Sequence, residues 1–156
     1  MKKLQRMLMI HWHNYQFELI EFAKINFMTG KTAAGKSTVI DALQLVLLGE
    51  TGGTFFNKAA NKKSNRSLQS YLFGEKGDDG DTGVRYMRDG NFTSYVALEF
   101  FDEDKRQAFV AGIVCDCFID KNFDSKWFVV NKAGLPDNFF VNQRNQVPFT
   151  IRELKA

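Results

Sequence analysis

Residues 30–37 match the pattern G-x-x-x-x-G-K-[ST] in full, reading Gly30-Lys31-Thr32-Ala33-Ala34-Gly35-Lys36-Ser37. A short apolar run at residues 25–28 precedes this stretch, and a long apolar run at residues 36–48 begins at its end. A phosphate-binding loop requires this order, with a strand leading into the loop and a helix leading out of it. The sequence therefore predicts a P-loop between a strand at 25–28 and a helix at 36–48.

Each residue type in the loop has a physical role in holding phosphate. Glycines at positions 30 and 35 let the backbone curl, so that successive N–H groups face one anion. The positive end of the following helix adds to that attraction. Lys36 would lie along the β- and γ-phosphates, and Ser37 would bind Mg²⁺. Lys31 is a second cation in the loop that could add a phosphate contact, although its position favours a side chain that points into solvent. The predicted nucleotide-binding set is Gly30, Lys31, Thr32, Ala33, Ala34, Gly35, Lys36, Ser37 and Thr38.

Hydrolysis needs more than a phosphate cradle, because a carboxylate must also help to hold Mg²⁺. The one candidate is the end of a predicted strand, Val96-Ala97-Leu98-Glu99-Phe100-Phe101-Asp102-Glu103. Glu99 interrupts its apolar run, the pattern alternates as in a half-exposed strand, and residues 102–105 are typical of a solvated hairpin turn. No Leu-Ser-Gly-Gly signature occurs, and Asn131-Lys132-Ala133-Gly134 lacks the carboxylate that would bind guanine. The chain thus carries half of a nucleotide site, and the pattern argues against a GTPase.

The rest of the chain is predicted to be rich in strands. Apolar runs indicate strands at residues 7–12, 17–21, 95–101, 108–118 and 126–130. We predict an α/β fold with a mixed sheet around the 25–28 strand and the 36–48 helix, and an antiparallel β lobe at about 84–130. The chain has 156 residues, 44% hydrophobic and 25% charged, which fits a single domain over residues 1–156.

The predicted helix is apolar almost all round, and Gly49 provides its stop. A helix of this composition is expected to be buried, here against a sheet. Ser37, Asp41 and Gln44 form its one polar stripe, at spacings of four and three. We interpret this stripe as the solvent-exposed face of the helix, rather than as a set of side chains that support Ser37 as a ligand of Mg²⁺.

Charge and hydropathy restrict the classes of function. A formal net charge of +3 is too small to indicate nucleic-acid binding by itself. A local cluster at Lys58, Lys62, Lys63 and Arg66 is compatible with a DNA contact or with a solvated loop. No apolar run approaches the ~20 residues that a membrane span needs, so we expect a cytoplasmic protein with reduced cysteines.

Two pairs of potential metal ligands lie on predicted strands. His11 and His13 share one strand face, as do Cys115 and Cys117. Neither pair makes a zinc site without two more ligands, and a disulfide between residues two apart on a strand has poor geometry. We interpret all four as ordinary strand positions.

The N-terminal sequence resembles the N-terminal part of the head of SMC-type ATPases. The resemblance is carried by a strand, His13-Asn14-Tyr15, two further strands, the P-loop and Ser37-Thr38-Val39-Ile40-Asp41-Ala42-Leu43. Residues 71–80 and 88–100 resemble the MukB-like branch, especially the JetC-type subunit of Wadjet anti-plasmid systems. The resemblance covers roughly residues 4–120, with Thr32-Ala33-Ala34 in place of the commoner Asn-Gly-Ser of the loop.

This resemblance implies an ABC- or SMC-head-like P-loop NTPase lobe that binds ATP and Mg²⁺. Its partners would be a C-terminal half, carrying the signature and an Asp-Glu strand beyond a coiled coil, and a second head that sandwiches two ATP molecules. Accessory subunits and DNA would be further partners, in plasmid defence, chromosome segregation or repair. The fragment alone would be inactive. Arg66 is the best match to a family arginine that approaches the phosphates, and Gln143 and Gln146 are the late glutamines that could match one reaching Mg²⁺.

Three alternatives stay open on the sequence. A self-contained P-loop phosphotransferase requires Asp102 as a metal ligand. A nucleotide-gated binding module would bind ATP without hydrolysing it. A DNA-repair or general AAA-like ATPase would share the loop but not the plasmid-defence role.

Overall fold

The computed structural model describes residues 1–31, 35–52, 55–56, 67–76, 83, 85–135 and 140–155. Its elements in chain order are β1 (Lys2–Trp12), β2 (Tyr15–Glu21), α1 (Lys36–Leu48), α2 (Leu68–Phe73), β3 (Glu75–Lys76), β4 (Arg85–Tyr86), β5 (Phe92–Asp102), β6 (Gln107–Cys117), β7 (Phe123–Asn131) and α3 (Ile151–Lys155). Five strands form an antiparallel sheet in the order β2-β1-β5-β6-β7, and β3 pairs with β4. The predicted α/β fold with an antiparallel β lobe is confirmed.

The central strand β5 is buried on both faces, which corrects the expectation of a half-exposed strand. On one face Val96 and Leu98 pack in a core with α1 and α2. On the other face Tyr95 and Ala97 pack against Leu135, Phe140, Val141 and the half-buried side of α3. The alternation in the sequence therefore separates two cores that lie on opposite sides of one sheet.

Residues 25–28 form no strand, although the structure describes all four, so this prediction is wrong. The described sheet is consequently antiparallel throughout rather than mixed. An apolar run becomes a strand only when a neighbour offers backbone hydrogen bonds, and these side chains are instead exposed, Ile25 at 70% and Phe27 at 89%. Asn26 holds a local turn, since its side chain accepts from Ala23 N at 2.8 Å and donates to Ala23 O at 2.9 Å.

Helix α1 begins and ends where the sequence predicts. Gly49 has φ +63°, and its N–H donates to Leu45 O at 3.1 Å to close the last turn. The interpretation of the polar stripe is wrong, because Asp41 is 0% exposed and accepts a hydrogen bond from the Tyr71 hydroxyl. The exposed positions of α1 include apolar ones, notably Leu47 at 57% and Leu48 at 53%.

No helix among the described residues is long and apolar enough to cross a membrane.

Candidate functional site

The loop before α1 is arranged around the Lys36 side chain. The Lys36 ammonium donates to the carbonyl oxygens of Gly30 and, at 2.9 Å, of Lys31. The ammonium is therefore turned back over the loop, between the residues that open and close the motif. The Lys31 side chain is exposed, as its position predicts. Thr32, Ala33 and Ala34 lie outside the described residues.

Two glycines give the loop its backbone conformation. Gly30 has φ +154° and Gly35 has φ +91°, both in a region that L side chains rarely adopt. Gly35 is the N-cap of α1 and carries no side chain that could cap the helix, and the first turn carries no acidic residue. The positive end of α1 thus remains available to an anion, with Ser37 half-buried in that turn and Thr38 buried behind it.

The Tyr15 ring lies beside Gly35 of the loop, and the sequence alone gave Tyr15 no functional role. A Cβ added to Gly35 would lie 2.9 Å from the Tyr15 hydroxyl oxygen. Gly35 is therefore needed for its left-handed conformation and for the close approach of this ring. Burial is the largest cause that raises the pKa of Tyr15, so the phenol stays neutral near pH 7.

Arg88 fixes the turn that carries Tyr15. Its guanidinium donates to His13 O, to Tyr15 O at 3.0 Å and to Leu72 O at 2.9 Å. Burial lowers the pKa of Arg88 to about 10, which leaves the group protonated near neutral pH. One cation therefore ties the β1–β2 turn to the end of α2. The contact could not be found from spacing, because more than seventy positions separate Arg88 from this turn.

A cavity of about 570 Å³ lies beside the loop. Its polar wall contains Lys36 and Gly35, and much of the remainder is apolar, including Phe22, Phe27 and Val39. An apolar pocket that borders an ammonium and a helix N-terminus suits a ligand with an anionic end and a flat, less polar end.

Asp102 is committed to a turn and not to a metal. Its carboxylate accepts from the backbone N–H of Asp104 at 3.1 Å and of Lys105 at 3.3 Å, and lies 3.8 Å from Lys2 Nζ. Burial would raise the pKa of Asp102, but these N–H groups and Lys2 outweigh it and the pKa is lowered. The hairpin turn is confirmed, with Glu103, Asp104 and Lys105 exposed, and Asp102 is the one of the four residues that is buried. Among the described residues no group of three or more His, Cys, Asp or Glu could hold a metal ion.

The two histidines adopt left-handed conformations that a regular strand does not have. His11 has φ +50° and His13 has φ +46°, and β1 ends at Trp12, so the expected shared strand face is wrong. The Nδ1 atom of His11 lies 2.9 Å from Thr93 O, and burial is the largest cause that lowers the His11 pKa. The candidate phosphate contact Arg66 and the cations Lys58, Lys62 and Lys63 lie outside the described residues.

Cys115 and Cys117 share one face of β6, as predicted, and both are buried in the core beneath α1. Burial is the main cause that raises both pKa values, that of Cys117 to about 12. A raised pKa keeps the thiol protonated, and the thiolate is the reactive form.

We therefore expect both cysteines to be inert in the folded protein. At pH 8 a colourimetric thiol reagent should label neither cysteine over an hour, and should label both at once in denaturant. Fast labelling of one thiol in native buffer, with Cys115→Ala and Cys117→Ala identifying which, would contradict this assignment.

Comparison with known families agrees with the loop geometry. Residues 4–63 match a family model described as the P-loop containing region of AAA domain. The match spans β1, β2, the loop and α1. This part of the chain is thus a P-loop nucleotide-binding region, similar to those of AAA-type domains. A search of curated proteins finds no significant match.

Proposed function

Starting from a P-loop nucleotide-binding region at residues 4–63, we propose that the chain is the N-terminal, ATP- and Mg²⁺-binding half of an SMC-like ATPase head. Hydrolysis requires a C-terminal half with the signature and the Asp-Glu strand, together with a second head. The resemblance to MukB-like and JetC-type heads suggests DNA as the substrate and accessory subunits as partners.

The uncovered side of α1 carries this proposal. One side of the helix packs on the sheet. The side chains of Ile40, Leu47 and Leu48, which are not on that side, are exposed. Residues 25–28, which lead into the loop, expose Ile25, Phe27 and Met28 as well. A helix that is apolar all round is stable between two layers, and the part of the chain that the structure describes supplies one layer, the sheet. A second layer supplied by a C-terminal half would cover α1 and give residues 25–28 a strand neighbour.

The residues present fit the nucleotide and the metal. Gly30 and Gly35 shape the loop, Lys36 already points back over it, and α1 begins at a glycine N-cap with no acidic residue in its first turn. Ser37 would hold Mg²⁺ together with phosphate oxygens, and the metal would supply charge neutralisation at the phosphates. These residues bind and orient the nucleotide. Asp102 is disfavoured as a carboxylate that also holds Mg²⁺, because it is bonded within its own turn.

The test is steady-state ATP hydrolysis by the chain alone and with an added C-terminal half. We expect ATP binding without turnover for the chain alone, and turnover only in the mixture, lost again in Lys36→Ala. Turnover by the chain alone that Lys36→Ala removes would overturn the split-head proposal in favour of a self-contained enzyme. Binding without turnover even in the mixture would instead identify a nucleotide-gated binding module.

A matched pair of variants tests the docking surface directly. Leu47→Ser, on the exposed side of α1 and outside the lining of the cavity, should prevent assembly with the C-terminal half while leaving ATP binding by the chain unchanged. Phe17→Ser, at an exposed phenylalanine on the edge strand β2, should leave both unchanged. Equal assembly of the two variants would contradict the proposed second layer.

A further inference from the structure

Trp12 joins the sheet to the first turn of α1. Its side chain is fully buried, and its indole N–H donates to Thr38 O at 3.1 Å. Thr38 is two residues beyond Lys36 and next to Ser37. The end of β1 therefore holds the backbone of the helix at the place where the phosphate-binding residues begin.

Tyr71 makes a second connection one turn further along α1. Its ring stacks on Trp12, with centroids 4.7 Å apart and planes 13° apart. Its hydroxyl donates to the Asp41 carboxylate, and its backbone oxygen accepts from His13 N at 2.7 Å. The buried Phe56 packs edge-on against both rings, at 6.5 Å from Trp12 and 5.2 Å from Tyr71.

Asp41 makes this arrangement unusual for a core. A buried carboxylate is costly unless it is hydrogen-bonded, and a bond to a charged group is stronger than a neutral one. Asp41 lies four residues after Ser37, so the two share one side of the helix. The core bond at Asp41 and the metal-binding position at Ser37 therefore belong to one rigid turn.

We propose that Trp12 and Tyr71 are positioning residues for Mg·ATP. Together they fix the depth and rotation of the first two turns of α1 on the sheet, and so place Ser37 and Lys36 for the metal and the phosphates. Neither side chain needs to touch the nucleotide. A misplacement of about 1 Å at a site of this kind is enough to weaken its function strongly. The inference rests on the proposed ATP site and adds the device that sets its geometry.

Tyr71→Phe tests the proposal because it removes the hydroxyl and keeps the stacked ring. Tyr95→Phe is a matched control, since Tyr95 is equally buried and its hydroxyl donates to Phe149 O on the opposite face of the sheet. The readout is the gain in ATP affinity on adding Mg²⁺, measured by titration calorimetry with Mg²⁺ and with chelator. Thermal unfolding of each variant is followed in parallel.

We expect Tyr71→Phe to reduce the Mg²⁺-dependent gain by about tenfold, while Tyr95→Phe keeps the gain of the unchanged protein. A loss of folded protein alone would lower binding equally with and without Mg²⁺, so the ratio separates positioning from stability. In one outcome the wild-type protein binds ATP and Tyr71→Phe keeps the wild-type ratio of ATP affinities with and without Mg²⁺. That result would overturn the positioning role and leave the proposed function standing. Absence of ATP binding by the unchanged protein would overturn the proposed function and this inference with it.

Discussion

Replacing Lys36 by alanine should weaken ATP binding by about a hundredfold. The ammonium sits at the start of α1 and donates to carbonyl oxygens of the loop, and phosphate oxygens would take over these bonds when nucleotide binds. Alanine removes the charge and leaves the helix intact, because it is a strong helix former. Titration calorimetry of ATP in the presence of Mg²⁺ measures the change.

Lys31→Ala is the control for that result. Lys31 lies in the same loop and carries the same charge, but its side chain is exposed and only its carbonyl oxygen contacts Lys36. We expect its affinity to stay within about threefold of the unchanged protein, because exposed charges contribute little in water. Equal losses for the two variants would mean that general charge, and not the position of Lys36, attracts the nucleotide.

Replacing Gly112 by alanine should lower the free energy of unfolding by about 3 kcal/mol, a fall in Tm of about 10 °C. Gly112 lies in β6, opposite Ala97 of β5 and Phe128 of β7. A Cβ there would be 2.4 Å from Val96 O and 2.8 Å from Ala97 Cα. These are backbone atoms of the central strand, which cannot move aside as a flexible side chain can.

The comparison for Gly112→Ala is Gly49→Ala at the end of α1. A Cβ at Gly49 meets nothing within 4 Å, and the cost comes only from its φ of +63°. We expect a loss of about 1 kcal/mol there, and chemical denaturation of both variants gives the two values. If Gly112→Ala proved no more destabilising than Gly49→Ala, the close approach of β5 and β6 at this point would be wrong.

The sequence predicted correctly those elements whose start and end are marked by residues within or next to the element itself. Helix α1 was bounded correctly because a loop motif fixes its start and Gly49 fixes its end. Strand β1 is longer than its apolar run, since Lys2 and Lys3 pair with Asp102 and Phe101 across the sheet. The charged start of β1 is held by its neighbour, which no pattern within β1 could indicate.

The failures occurred where a distant residue decides the outcome. The composition of α1 gave no way to tell its inner side from its outer side, and Asp41 points inwards, where it accepts a hydrogen bond from the distant Tyr71 hydroxyl. Residues 25–28 have the composition of a strand but lack a neighbour in the described sheet. Tyr15 and Arg88 reach the site through the β1–β2 turn, and only the fold brings them there.

The sheet order also has a consequence for how the chain assembles. The β1–β2 hairpin and the β5–β6–β7 meander pair strands that are neighbours in the sequence, through short connections. The pairing of β1 with β5, in which Met7 lies opposite Leu98, must instead close the whole excursion that contains the P-loop, α1 and α2. Because closing a long loop costs more entropy than closing a short one, we expect this non-local step to follow the local ones. The pairing of β1 with β5 joins the β1–β2 hairpin to the β5–β6–β7 meander. The same step would bring the nucleotide-binding loop to the sheet.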